Sequence, residues 1–99
     1  MLESQFQSNL RKEIKERFKG CYVFKMDPIE YQGLPDLLIL YKDKWAALEV
    51  KKSINAPHRP NQDMRVEQMN KMSYASFVYP ENKEEVLNDL ESIFKDSTR

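Results

Sequence analysis

The chain has 99 residues, 16 of them Lys or Arg and 16 Asp or Glu, so its formal net charge is zero. That length makes one domain, 1–99, which buries only roughly 60–65% of its unfolded surface, so pairing with a second copy would add to a small core. Neutrality excludes a uniformly basic nucleic-acid coat, but residues 1–60 carry a net charge of +3 and residues 61–99 a net of −3, which leaves room for a local basic face.

Leu2, Phe6, Leu10, Ile14 and Phe18 recur every fourth position and predict a helix over 2–19 with one apolar stripe. Gly20 supplies its stop. Arg11, Lys12, Lys15 and Arg17 form a basic shoulder beside the stripe, facing solvent or a polyanion. Residues 21–27 (CYVFKMD) are aromatic and β-branched and predict a strand. Cys21 is the sole cysteine, so it makes no internal disulfide and no structural zinc site, and it fits a reducing cytosol. It reads as a buried strand residue rather than a nucleophile, because the only histidine lies 37 residues further on.

Residues 28–35 (PIEYQGLP) are a Pro/Gly-marked connection. Residues 36–41 (DLLILY) are an almost unbroken apolar run, which predicts a strand covered on both faces. Lys42-Asp43-Lys44 is a polar turn that joins it, as a hairpin, to a strand over 45–51 (WAALEVK). Trp45 opens that strand and is expected to pack rather than to stack on a base. Residues 52–61 (KSINAPHRPN) are a loop. Residues 62–75 read as a helix with Met64, Met69, Met72 and Ala75 on its less polar side. Residues 76–79 (SFVY) are a short strand closed by Pro80. Residues 81–95 form a last helix with Val86, Leu87, Leu90, Ile93 and Phe94 as its apolar face, followed by a polar tail. The order α-β-β-β-α-β-α gives the α/β class, a small mixed sheet flanked by helices. No apolar run approaches a membrane span, and no secretory signal pattern opens the chain.

The chemistry gathers in two stretches, G33-L34-P35-D36-L37-L38-I39-L40 and W45-A46-A47-L48-E49-V50-K51-K52. Strand side chains alternate faces, so Glu49 and Lys51 point one way and Val50 the other. If the two runs pair, Asp36 and Glu49 meet at one edge of the sheet with Lys51 beside them. Two carboxylates and an ammonium at that spacing can hold a divalent cation, polarise a phosphate and activate a water. Hard oxygen ligands suit Mg²⁺ or Mn²⁺ rather than zinc.

The order of elements and the P-D…E-x-K spacing resemble the PD-(D/E)XK nuclease superfamily. The G-x-P-D opening, with Asp36 and Glu49 thirteen positions apart, and the E-V-K ending are most similar to its VRR-NUC branch, with kinship to phage endonuclease I-type junction resolvases. The resemblance runs from residue 3 to about residue 94 and implies a restriction-endonuclease-like core. It further implies that Asp36 and Glu49 are direct metal ligands and that the backbone carbonyl of Val50 completes the site. By the same resemblance Lys51 orients or helps deprotonate the attacking water and offsets charge on the phosphate. A lysine flanked by two carboxylates favours that electrostatic role over a strict general base. Gln68 matches the glutamine of the helix that follows. Glu3 matches an acid of the first helix that reaches the metal shell directly or through water, with Glu13 and Glu16 as rivals. The implied products are a 5′-phosphate and a 3′-hydroxyl.

These readings lead to an Mg²⁺-dependent DNA endonuclease, with Mn²⁺ able to substitute. It is expected to select a junction, flap or nick by shape, since nothing in so short a chain looks like an inserted element for reading bases. Lys52, Arg59, His58 and Lys12 are expected backbone contacts. A homodimer is expected, with Phe6, Leu10 and the methionines from Met64 to Met72 at its interface, in the cytoplasm of a bacterial or phage-infected cell. Two other readings stand beside this one: a catalytically silent nucleic-acid-binding module on the same scaffold, and a restriction-type enzyme that cuts one fixed sequence.

Overall fold

The apolar stripe of the first segment winds into α1 (Glu3–Arg17) in the computed structural model, which describes residues 2–27 and 33–95. Then come β1 (Tyr22–Lys25), β2 (Leu37–Tyr41), β3 (Lys44–Val50), α2 (Gln62–Met72), β4 (Tyr74–Val78), a 3₁₀ turn at Pro80–Asn82 and α3 (Lys83–Lys95). The order αβββαβα is the one expected, and the fold is restriction-endonuclease-like. Most of the connection expected over 28–35, up to residue 32, and the expected tail beyond 95 lie outside the described residues.

The strands line up as β1-β2-β3-β4. The first two pairings are antiparallel, and Tyr41 pairs with Lys44 across the predicted hairpin turn. β3 and β4 run parallel, which requires a crossover, and α2 supplies it. α2 stops at Met72 because Ser73 leaves helical geometry and the N–H of Ala75 goes to the Asn70 side chain at 3.1 Å.

One face of the sheet carries the main core. Leu37 and Ile39 of β2 and Ala46, Leu48 and Val50 of β3 pack there against Phe6, Leu10, Ile14 and Phe18 of α1 and the apolar face of α3. Phe18 meets Phe94 edge-on, with ring centroids 5.3 Å apart. The other face holds a much smaller cluster, Ala47, Val66 and Ala75, with Trp45, Met69 and Phe77 beside it.

Several expectations are corrected here. β2 is not covered on both faces: Leu37 and Ile39 are buried, but Leu38 and Leu40 are half-buried, because α2 packs over β3 and β4. The strand covered on both sides is β3. Phe6 and Leu10 lie in the core, so they are not available to an interface. Met64 and Met72 are exposed, and Val66, not the methionines, is the buried apolar anchor of α2. Ala75 belongs to β4 rather than to the helix. Cys21 is half-buried just before β1, and burial pushes its thiol above the ordinary range.

Candidate active site

The hairpin register builds the centre of the site. Leu37 pairs with Leu48, so the next positions outward, Asp36 and Glu49, come together where β2 begins. Since Leu48 and Val50 face the main core, alternation turns Glu49 and Lys51 to the α2 side. Both are buried, at 4% and 6% exposure, and so is Gln62 at the first turn of α2, at 5%. Charged side chains rarely reach such burial without partners.

The partners form a closed set of hydrogen bonds. The N–H of Val50 donates to Asp36 Oδ2 at 3.0 Å and fixes that carboxylate at the edge of β3. Lys51 Nζ donates to Gln62 Oε1 at 2.9 Å and to the Pro57 carbonyl at 3.1 Å, and lies 3.7 Å from Glu49 Oε2. Gln62 Nε2 donates to the same Glu49 oxygen at 2.8 Å, while Gln62 Oε1 also accepts the N–H of Arg59 at 2.8 Å. The exception is Glu49 Oε1, a buried oxygen with no hydrogen-bond partner among the described residues. Such an atom is unfavourable unless something outside the chain satisfies it.

Above these groups lies an open cavity of about 470 Å³, whose lining includes Glu3, Gly33, Asp36, Glu49, Lys51, Lys52, His58, Arg59 and Gln62. The lining combines the carboxylates of Glu3, Asp36 and Glu49 with the cations of Lys51, Lys52 and Arg59. Burial, reinforced by repulsion from Asp36, pushes the Glu49 carboxyl up to about 7, against the pull of Lys51. Burial also raises Asp36, less strongly, because the Val50 N–H and the charges of Lys51, Lys25 and Arg59 favour its ionised form. A buried carboxylate with a free oxygen, beside a half-buried one that repels it, is a donor set fitted to a hard divalent cation. Among the described residues no group of three or more His, Cys, Asp or Glu gathers as a ready-made cluster, so water or substrate oxygens would complete the shell.

The structure brings Asp36, Glu49, Lys51 and Glu3 to one cavity, with Lys52, His58 and Arg59 on its wall. Val50 ends β3, directly after Glu49 and bonded through its N–H to Asp36. Of the three rival acids, Glu3 lines the cavity, whereas Glu13 pairs with Lys83 at 3.1 Å and Glu16 is exposed elsewhere on α1. Lys12 is exposed and does not line the cavity. Gln68 is also exposed and away from the cavity; the glutamine that reaches Glu49 is Gln62. The phase of α2 explains this, since Gln62, Val66 and Met69 share the inward face at i, i+4 and i+7, and Gln68 points elsewhere. Counting back from Val66, the one β-branched residue of that helix, was the signal that could have found it.

Gly33 explains the glycine of the G-x-P-D stretch. Its φ is +81°, and a Cβ there would lie 2.7 Å from the backbone carbon of Asn61. The chain before Asp36 thus presses directly on the residue before Gln62. Asn61 takes a left-handed φ of 72° to start α2 at that contact, a conformation asparagine tolerates better than most residues.

No family model matches the sequence, and no curated protein matches it significantly. Solved structures do. A VRR_NUC domain matches with a TM-score of 0.62 and 28% identity over 82% of this chain and 92% of its own. A VRR_NUC domain protein matches with a TM-score of 0.71 and 23% identity over 96% of this chain and 89% of its own. This chain has the VRR_NUC fold. The resemblance carried by residues 33–51 and the arrangement of the whole chain therefore point to the same group of proteins. The Archaeoglobus fulgidus protein Hjc, a Holliday junction resolvase from an archaeal hyperthermophile, also matches, with a TM-score of 0.47 and 15% identity over 74% of this chain and 67% of its own.

Proposed function

We propose that this VRR_NUC-fold chain is a metal-dependent endonuclease that hydrolyses DNA phosphodiester bonds and selects its substrate by shape. The observation that carries this reading is the buried, unsatisfied Oε1 of Glu49 beside Asp36, in a cavity that also presents Lys52, His58 and Arg59. A carboxylate kept only for stability would not be buried against the repulsion of its neighbour. The likeness to a VRR_NUC domain at 28% identity supports a nuclease.

Asp36, Glu49 and the carbonyl of Val50 would hold Mg²⁺, with Glu3 reaching it through water and Mn²⁺ able to replace it. When bound, such a cation acidifies a water and offsets charge on the phosphoryl oxygens. The remaining work falls to the chain itself. Lys51 places a positive charge beside the phosphate; with its donors directed at Pro57, Gln62 and Glu49, it orients and stabilises rather than abstracts a proton. Gln62 holds Lys51 and Glu49 at a fixed separation. Lys52 and Arg59 contact the DNA backbone. Every described helix packs on the sheet, so shape and backbone, rather than base edges, are what this surface can read. The reading includes a homodimer presenting two cavities to the strands of a junction; of the interface residues expected for it, Met64 and Met72 are exposed.

The test is a cleavage panel of four-way junction, flap, nicked duplex, linear duplex, plasmid and single strand, each with Mg²⁺, Mn²⁺ or EDTA. Cutting should require metal, prefer a branched substrate, and disappear in Asp36→Asn. Lys51→Ala should lose activity as well, but it also frees the Pro57 loop, so Asp36→Asn is the cleaner control. Binding without cutting under every metal would leave a silent DNA-binding module instead.

A further inference from the structure

His58 is the only histidine of the chain, and four contacts fix it although it lies in a loop. The residue before it, Pro57, accepts a hydrogen bond from Lys51 Nζ at 3.1 Å. The residue after it, Arg59, donates its N–H to Gln62 Oε1 at 2.8 Å. Main-chain bonds on both sides thus tie this position to the network around Glu49. Its ring stacks on Phe77 of β4, with centroids 4.1 Å apart and planes 13° from parallel. Its Nδ1 lies 2.7 Å from Asp63 Oδ1. An ionised carboxylate only accepts, so Nδ1 carries the proton of that bond. Nε2 is the ring nitrogen left for other work, and His58 lines the same cavity as Asp36, Glu49 and Lys51. A solvated loop side chain needs none of these constraints, since ordering it loses rotamer entropy.

We propose that His58 is the proton donor to the departing 3′-oxygen, with Asp63 as the positioning residue that holds the ring. This rests on the nuclease reading above. Phosphodiester hydrolysis leaves an alkoxide, which departs faster when a placed acid protonates it, and histidine is the side chain most often used. In the step, the water oxygen bonds to phosphorus, the P–O3′ bond breaks and its electron pair stays on O3′. The Nε2 proton of the imidazolium passes to that oxygen, and the surplus proton of the water leaves to solvent. The products are a 5′-phosphate and a 3′-hydroxyl, and the neutral imidazole is reprotonated from solvent. Lys51 is a poor rival because its donors are held by Pro57, Gln62 and Glu49, and a guanidinium such as that of Arg59 does not release its protons. The His58 ring meets Asp63 from α2 and the apolar Phe77 from β4, and Lys52 and Arg59 line the same cavity.

The experiment compares an oxygen with a sulfur leaving group. A branched DNA that the wild type cuts is made again with a 3′-bridging sulfur at the mapped scissile bond, and both are assayed in Mn²⁺ under single turnover. A thiolate departs without a proton. His58→Gln should slow the oxygen substrate by roughly 10²–10⁴-fold and leave the sulfur substrate within about threefold of wild type. Asp63→Asn should show the same pattern with a smaller loss. Equal slowing on both substrates makes His58 a structural or phosphate-binding residue and overturns the proposal, as does no slowing on either. Failure of the wild type to cut any DNA rejects the nuclease reading and this inference with it, an outcome distinct from cutting that ignores His58. Thermal melting of each variant separates a folding defect from a chemical one.

Discussion

On the side of the sheet that faces α1 and α3, Leu10, Ile14, Phe18, Leu37, Leu48 and Leu90 are fully buried. On the α2 side, the buried residues beside Ala47 include Glu49, Lys51 and Gln62, and the apolar cluster adds only Val66 and Ala75. Apolar burial stabilises by roughly 25 cal/mol per Å², so the first face supplies most of the driving force for folding. The second contributes little and houses two repelling carboxylates. This four-stranded fold can hold such a site because the face opposite bears the load, and the strand shared by both faces, β3, fixes the carboxylate to that rigid core.

Phe18→Ala tests the first half of that contrast and should have the largest effect on stability. The ring is fully buried and packs edge-on against Phe94, so its loss should destabilise the chain by roughly 3–5 kcal/mol. Val66→Ala, on the inward face of α2, should lose about 1–2 kcal/mol, because a smaller side chain is lost from a thinner layer. Denaturant titration of both variants measures the difference. Equal losses would mean that the two faces contribute alike, and the division of labour between them would be wrong.

Glu49→Gln tests the second half. Glu49 titrates near pH 7 in the folded chain because of burial and the nearby Asp36, against about 4.3 unfolded. Between those values the folded state binds the extra proton, so this group's contribution to stability falls as pH rises, and the penalty is complete only above pH 7. Metal-free wild type should therefore be less stable at pH 8 than at pH 5, by up to about 3 kcal/mol from this group. The Gln variant removes the penalty and should be the more stable of the two at pH 8 in EDTA. Mg²⁺ should restore the wild type and leave the variant unmoved. Melting curves at two pH values, with and without metal, read all of this, and a variant no more stable than wild type at pH 8 would show that the carboxylate is not under strain.

Legibility in the sequence followed the same division. The fourfold stripe of α1 and the alternation of β3 follow from periodicity alone, because apolar side chains on the main face must repeat with the element that carries them. The meeting of Asp36, Glu49 and Lys51 was legible for the same reason, since a hairpin with a short turn has one register. What the sequence did not reveal lies on the other face. β2 looked covered on both sides because its run is apolar, yet α2 packs over β3 and β4. The phase of α2 was hidden because its inward face carries a glutamine, a valine and a methionine instead of a clear stripe, and because its start depends on the contact of Gly33 with Asn61, which is remote in sequence.

That hidden phase yields the smallest and sharpest comparison, between two glutamines six positions apart on one helix. Gln62→Ala should remove the bonds to Lys51, Glu49 and the Arg59 N–H together, leaving buried donors and acceptors unsatisfied for a loss of roughly 1–3 kcal/mol. It should also release the Pro57–Arg59 loop and lower cleavage by more than tenfold. Gln68→Ala, on the exposed side, should change stability by no more than about 0.5 kcal/mol and leave cleavage within about twofold. Paired denaturation and single-turnover assays read both. Because the Gln-to-Ala change in helix propensity is small, a large difference between the two variants comes from what the side chains touch. Sensitivity at Gln68 with tolerance at Gln62 would place α2 about two residues out of phase, and with it every contact drawn between the helix and the carboxylates.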